Sequence, residues 1–186
     1  MYTVPQGATL RLAISGKSGC GNTTVSSLLA ETLGITLINY TFRQLAAERG
    51  VSLADVIECA KTDDSYDRTV DTRQVELALR GSCVLGSRLA IWMLAAADLK
   101  VYLQADATTR AERIYTREGG SIEQIAAFTA MRDEEDTKRY QRLYHIDNND
   151  FSVADCIVDT GKYTPEQIVA HILAELHRRH LVERRD

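Results

Sequence analysis

The chain has 186 residues, of which 45% are hydrophobic and 26% charged, with a net charge of -4. That size suits one domain with a single real core, and the acidic balance argues against a nucleic-acid binder, which would carry a basic excess. Cys20, Cys59, Cys83 and Cys156 stand singly, so neither a disulfide framework nor a zinc site is indicated, and the reduced thiols of a cytoplasmic protein are expected.

In chain order, Thr9–Ser15 is a short apolar run ending at a glycine, the pattern of a buried strand. Asn22–Leu33 has helical spacing at Val25, Leu28, Leu29 and Leu33, with Gly34 as its stop. Ile35–Ile38 reads as a second strand, and Tyr40–Arg49, Leu53–Lys61 and Asp64–Arg80 read as helices. Cys83–Leu85 and Leu99–Leu103 read as strands, and Asp106–Glu118 and Ile122–Tyr144 as charged, arginine-rich helices. Val153–Val158 reads as a last strand interrupted by Asp155. Pro165–Arg179 reads as a helix with proline in its first turn. Strands alternating with helices imply a parallel sheet with helices on both faces. The stretch Asp106–Tyr144 has few apolar anchors and is expected to form a mobile flap, and Trp92 and Met93 are expected in the core. No secretory leader is expected, and the apolar run Leu89–Ala97 is too short to span a bilayer.

The strongest motif is Gly16–Thr24, GKSGCGNTT, between a predicted strand and a predicted helix. Its glycines let successive backbone N–H groups point at phosphate oxygens, and the helix N-terminus adds partial positive charge. Gly16, Lys17, Ser18, Gly19, Cys20, Gly21, Asn22, Thr23 and Thr24 are therefore expected to hold ATP, with the Thr23 hydroxyl on Mg²⁺. The usual loop has lysine where this chain has Asn22. Lys17, directly after the first glycine, is expected to reach the transferred phosphate in its place; the alternative is a surface lysine on a degenerate loop.

Arg110, Arg113 and Arg117 share one helical face, as do Arg132, Asp136 and Arg139. Beside a phosphate loop such faces would supply the cations that phosphoryl transfer needs; otherwise they are solvated helices. Asp67, Asp71 and Gln74, with Arg73 among them, share a face that either holds sugar or base edges or is ordinary surface. Arg43 and Arg88 lie near predicted strand ends, where ligands of open α/β sheets collect. The histidines show no ligand spacing.

With these residues in view, the chain resembles the archaeal-type cytidylate kinases of the nucleoside monophosphate (NMP) kinase group. The likeness runs from about Thr9 to about Leu176 and rests on LRLAISGKSGCGNTTVSSLLAETLG, FRQLAAERG, DRTVDTRQVELAL, SRLAIWML, RAERIYTRE, RDEEDTKRYQRLYHID and IVDTGKYTPEQIV. The resemblance implies a three-layer α/β P-loop kinase fold: a five-stranded parallel sheet flanked by helices, an NMP-binding helical insert over about 39–80, and a lid over about 106–144. It implies that Arg43 and Arg88 grip the acceptor phosphate and that Asp67–Gln74 belong to the insert. Arg113 and Arg117 would be lid arginines touching ATP. Arg132, Asp136 and Arg139 would contact the acceptor, and Lys17, Arg117 and Arg132 would carry the catalytic charge. The chain differs from the family at Asn22 and at Gly86, where the family tends to carry an acidic residue.

The expected activity is ATP-dependent phosphorylation of CMP or dCMP, with Mg²⁺, on small-molecule substrates only. No nucleic acid, membrane or partner chain is expected, and a monomer is. Two rivals stay open: a kinase of the same fold with another acceptor, and a nucleotide-binding protein whose loop is degenerate.

Overall fold

A computed structural model describes residues 2–184. The elements are β1 (Tyr2–Thr3), β2 (Arg11–Gly16), α1 (Asn22–Leu33), β3 (Thr36–Ile38), α2 (Phe42–Arg49), α3 (Leu53–Ala60), α4 (Ser65–Ala78), β4 (Cys83–Gly86), α5 (Ala90–Met93), β5 (Leu99–Gln104), α6 (Ala107–Glu118), α7 (Ile122–Tyr144), β6 (Cys156–Asp159), α8 (Pro165–Arg178) and β7 (Glu183–Arg184). The main sheet has five parallel strands in the order β3-β4-β2-β5-β6, as the alternating pattern implies. Central β2 and its neighbours all end on one side, the side where ligands of open α/β sheets bind.

Alternation along β2 divides its side chains between two faces. Leu12 and Ile14 pack with Val25 and Leu29 of α1 and with Ile168, Ile172 and Leu176 of α8. Ala13 faces the opposite way, to Leu85, Ile91, Leu94 and Tyr102. A separate small cluster of Tyr40, Leu45, Ala46, Val56 and Val70 holds α2, α3 and α4 together between β3 and β4.

Most predicted boundaries hold to within two residues, and α1 spans Asn22–Leu33 as its spacing implies. The last strand is a correction: it begins at Cys156 rather than Val153. The Asp155 N–H donates to the Lys100 carbonyl at 2.8 Å, but its carboxylate, which accepts from the Lys100 amide at 2.8 Å and from Arg179 at 2.9 Å, takes the place of a backbone acceptor there. The helix read from Tyr40 begins at Phe42, because Thr41 and Gln44 form a capping box. Local pattern missed the short pair β1–β7, which is antiparallel, and it missed α5. Trp92 and Met93 are half-buried rather than core, whereas Ile91 and Leu94 are fully buried. Asp106–Tyr144 folds as the helices α6 and α7, and its scarcity of apolar anchors is offset by polar ones. Arg110 of α6 pairs with Asp133 of α7 at 2.7 Å, with side chains only 8% and 14% exposed.

Candidate active site

The loop Gly16–Gly21 turns the chain from β2 into α1, and sterics dictate its glycines. A Cβ on Gly16 would lie 2.6 Å from the Leu103 carbonyl oxygen, and one on Gly19 2.8 Å from that of Arg110. Gly19 and Gly21 also sit at φ 83° and 86°, left-handed backbone that suits glycine. Gly21 N-caps α1 with no side-chain cap, so the first-turn N–H groups of that helix are left for an external acceptor. The loop lines a cavity of about 650 Å³. Other walls of the cavity come from α4 (Asp67, Val70, Asp71, Gln74), the β4 end (Gly86, Ser87, Arg88), α6 (Arg113, Ile114, Arg117) and α7 (Arg132, Tyr140).

The expected donor residues are brought together here, with distinct engagements. Asn22 turns its amide inward: Nδ2 donates to the carbonyls of Ile14 at 3.1 Å and Ser87 at 3.3 Å, and Oδ1 accepts from Ser26 Oγ at 3.0 Å. Lys17 lines the cavity, and its Nζ donates to neutral Asn149 Oδ1 at 2.7 Å. Thr23 is exposed on the cavity wall, and among the described residues its hydroxyl has no hydrogen-bond partner. Arg113 donates to the Gly19 carbonyl at 3.4 Å and to Thr160 Oγ1 at 2.8 Å, stapling α6 to the loop. Arg110, grouped with Arg113 and Arg117 by spacing, is buried and donates to the Ser18 carbonyl at 3.1 Å. Arg117 is exposed and paired with its neighbour Glu118.

On the opposite side, Arg88 is paired with buried Asp136, whose second oxygen accepts from Arg139 at 2.6 Å. Arg139 Nε in turn lies 3.6 Å from Asp67 Oδ1. Asp136 thus bridges two arginines and fixes their direction. Arg132 is exposed and has no ion-pair partner among the described residues; partial desolvation together with the neighbouring Arg88 charge lowers its pKa. Two close guanidiniums repel each other, and a polyanion seated against both would relieve the repulsion.

Asp67 and Asp71 form an acidic patch one turn apart on α4. Burial raises the pKa of both, that of Asp71 to about 6. Tyr144, at the end of α7, donates to Asp71 Oδ2 at 2.7 Å. The Gln74 amide is committed to the Tyr40 carbonyl at 2.7 Å. Arg43, Arg73, Asp136 and Arg139 do not line the cavity: Arg43 is exposed, and Arg73 pairs with Glu76 at 3.2 Å. Sequence reasoning missed Tyr140, Thr160 and Tyr163, which do line it, and Tyr144 and Asn149, which hold residues that do. A Tyr in the last turn of a charged helix carried the only available signal.

Among the described residues no three His, Cys, Asp or Glu side chains cluster to hold a metal. No described helix is long and apolar enough to cross a membrane.

Residues 11–162 match the model of the cytidylate kinase-like family. Among curated proteins, cytidylate kinase 2 of Borreliella burgdorferi is 42% identical over 176 residues, covering 92% of this chain and 98% of the relative. Cytidylate kinase of Pyrococcus abyssi is 42% identical over 183 residues, 97% of this chain and 99% of the relative. Among solved structures, shikimate kinase from Acinetobacter baumannii in complex with shikimate superposes with a TM-score of 0.63 at 21% identity, covering 94% of this chain and 96% of that one. Deoxyadenosine kinase from M. mycoides with bound dATP gives 0.55 at 16% identity, covering 90% of this chain and 100% of that one. These two structural likenesses concern the fold.

Proposed function

The chain belongs to the cytidylate kinase-like family, and from that premise we infer that it is a cytidylate kinase, transferring the γ-phosphoryl group of ATP to CMP or dCMP. The observation that carries the reading is Arg132 beside Arg88 at the cavity wall, next to a glycine cradle whose helix N-terminus is uncapped. Cations placed where charge accumulates are what phosphoryl transfer needs.

ATP phosphates would lie on Gly16–Thr24, with Arg113 and Arg117 above them. The acceptor phosphate would lie at Arg88 and Arg132. The base and sugar, which offer donors, would face Asp67 and Asp71, because two carboxylates would repel a phosphate there. We assign 39–80 as the acceptor-binding insert and 106–144 as the lid. An acceptor phosphate oxygen bonds to the γ-phosphorus as the bond to the β–γ bridging oxygen breaks, giving CDP and ADP. The acceptor is already ionised at neutral pH, so no general base is required, and positioning with charge stabilisation carries the rate. Lys17 is the cation assigned to the transferred group, since its present partner is neutral and its charge is not spent on a carboxylate.

Mg²⁺ fits this donor set: the free Thr23 hydroxyl and the nucleotide's own phosphates would hold it. When bound it neutralises phosphate charge. Formation of CDP from ATP and CMP by the purified chain tests the assignment. A second reading, nucleotide binding without turnover, is favoured by Asn22, whose amide is turned away from the cradle. Absence of CDP together with retained ATP binding would select it.

A further inference from the structure

Asn22 and Gly86, 64 residues apart in sequence, meet in space. A Cβ on Gly86 would lie 2.6 Å from Ser26 Oγ and 3.1 Å from Asn22 Oδ1. The place a side chain at 86 would enter is filled by the Asn22–Ser26 hydrogen bond. A side chain at 86 is therefore incompatible with this arrangement.

We propose that Asn22 is a positioning residue: an amide clamp that fixes the Ser87–Arg88 segment against the end of β2, and not a ligand of the transferred phosphate. The proposal rests on the reading above that Arg88 holds the acceptor phosphate. Ile14 and Gly86 are partners in the β2–β4 ladder, and the next amide, Ser87 N–H, donates to the Ile14 carbonyl at 3.1 Å. The Asn22 amide lies across this last rung, donating at once to the Ile14 carbonyl on β2 and to the Ser87 carbonyl beyond β4. Both Nδ2 protons are thereby committed, and Ser26 occupies Oδ1. An amide with both ends engaged has no donor left for a phosphate. What it does hold is the backbone one residue before Arg88, on the side of the sheet where the loop also begins. Donor cradle and acceptor arginine are thus joined by one side chain, and the phosphate's charge is met by other groups.

The test is calorimetric titration of wild type, Asn22→Leu and Ser26→Ala, with CMP and separately with a non-hydrolysable ATP analogue plus Mg²⁺. Amide hydrogen exchange at Ser87–Ala90 is read on the same proteins. Leucine keeps the volume and removes both carbonyl bonds. The expected result is CMP affinity about tenfold weaker in Asn22→Leu, from loss of two hydrogen bonds. ATP-analogue affinity should change less than about twofold, and exchange at Ser87–Ala90 should be faster. Ser26→Ala, which leaves the carbonyl bonds in place but frees Oδ1, should show the same pattern more weakly and serves if the leucine variant does not fold. Equal loss for both ligands, loss confined to the ATP analogue, or unchanged exchange would overturn the clamp. If wild type binds no CMP, the acceptor assignment fails, and the exchange rates still decide the clamp.

Discussion

The Tyr144 hydroxyl donates a 2.7 Å hydrogen bond to Asp71 Oδ2, joining the last turn of α7 to the α4 wall of the cavity across 73 residues of sequence. Burial pushes the Asp71 carboxyl up to about 6 from 3.8, and the Tyr144 hydroxyl pulls it part of the way back. The arrangement buys an acceptor of hydrogen bonds inside the site at a cost in stability.

The sign of that cost follows from proton linkage. Between about pH 3.8 and 6 the folded chain keeps a proton on Asp71 that the unfolded chain has lost, so stability falls as pH rises through this window. Above it the penalty is constant. Asp71→Asn should therefore stabilise the ligand-free protein at pH 8 by about 1–3 kcal/mol, read as a melting temperature several degrees higher, while CMP affinity falls. A lower melting temperature at pH 8 would contradict the assignment.

Arg132 lines the cavity with Arg88 and forms no ion pair among the described residues. Arg132→Met should lower kcat by about 10²-fold or more, the scale for losing one preorganised donor to a transition state. The ligand-free protein should be no less stable, because a repulsive charge is removed. Steady-state rates and thermal melts measure the two effects separately.

Lys17 and Asn22 separate the charge-supplying role from the structural one. Lys17→Ala should lower kcat by about 10²-fold with ATP affinity within a few-fold, since the backbone cradle remains. Asn22→Lys should give no gain in kcat, because position 22 is committed to the strand ends. A rate increase in Asn22→Lys would mean that the loop is merely degenerate.

The Arg110–Asp133 pair holds α6 to α7 with both side chains largely out of water. Removing one partner leaves a buried charge, so Asp133→Ala should cost about 3–5 kcal/mol in denaturant unfolding. The double variant Arg110→Met with Asp133→Leu should recover most of it.

The sequence made the frame of the molecule legible because hydrophobic period and capping are local. Val25, Leu29 and Leu33 with Gly34 set α1 without reference to anything distant, and the glycine loop is written in nine consecutive residues. The pairings that decide the site join distant segments. Nothing near Asp71 announces Tyr144, and nothing near Asn22 announces that its amide spans Ile14 and Ser87. Helical spacing put Arg110 with Arg113 and Arg117, yet burial made Arg110 a structural anchor and left Arg117 in solvent. Asp136 likewise shares a face with Arg132, and packing turned it to bridge Arg88 and Arg139 instead of lining the cavity.

The cytidylate kinase assignment is decided by measuring kcat/KM for phosphoryl transfer from ATP to CMP, dCMP, UMP, AMP and shikimate with the same enzyme preparation. The expected product is CDP or dCDP, with CMP or dCMP favoured over every other acceptor by at least about tenfold. Turnover of shikimate or AMP without turnover of CMP would contradict it.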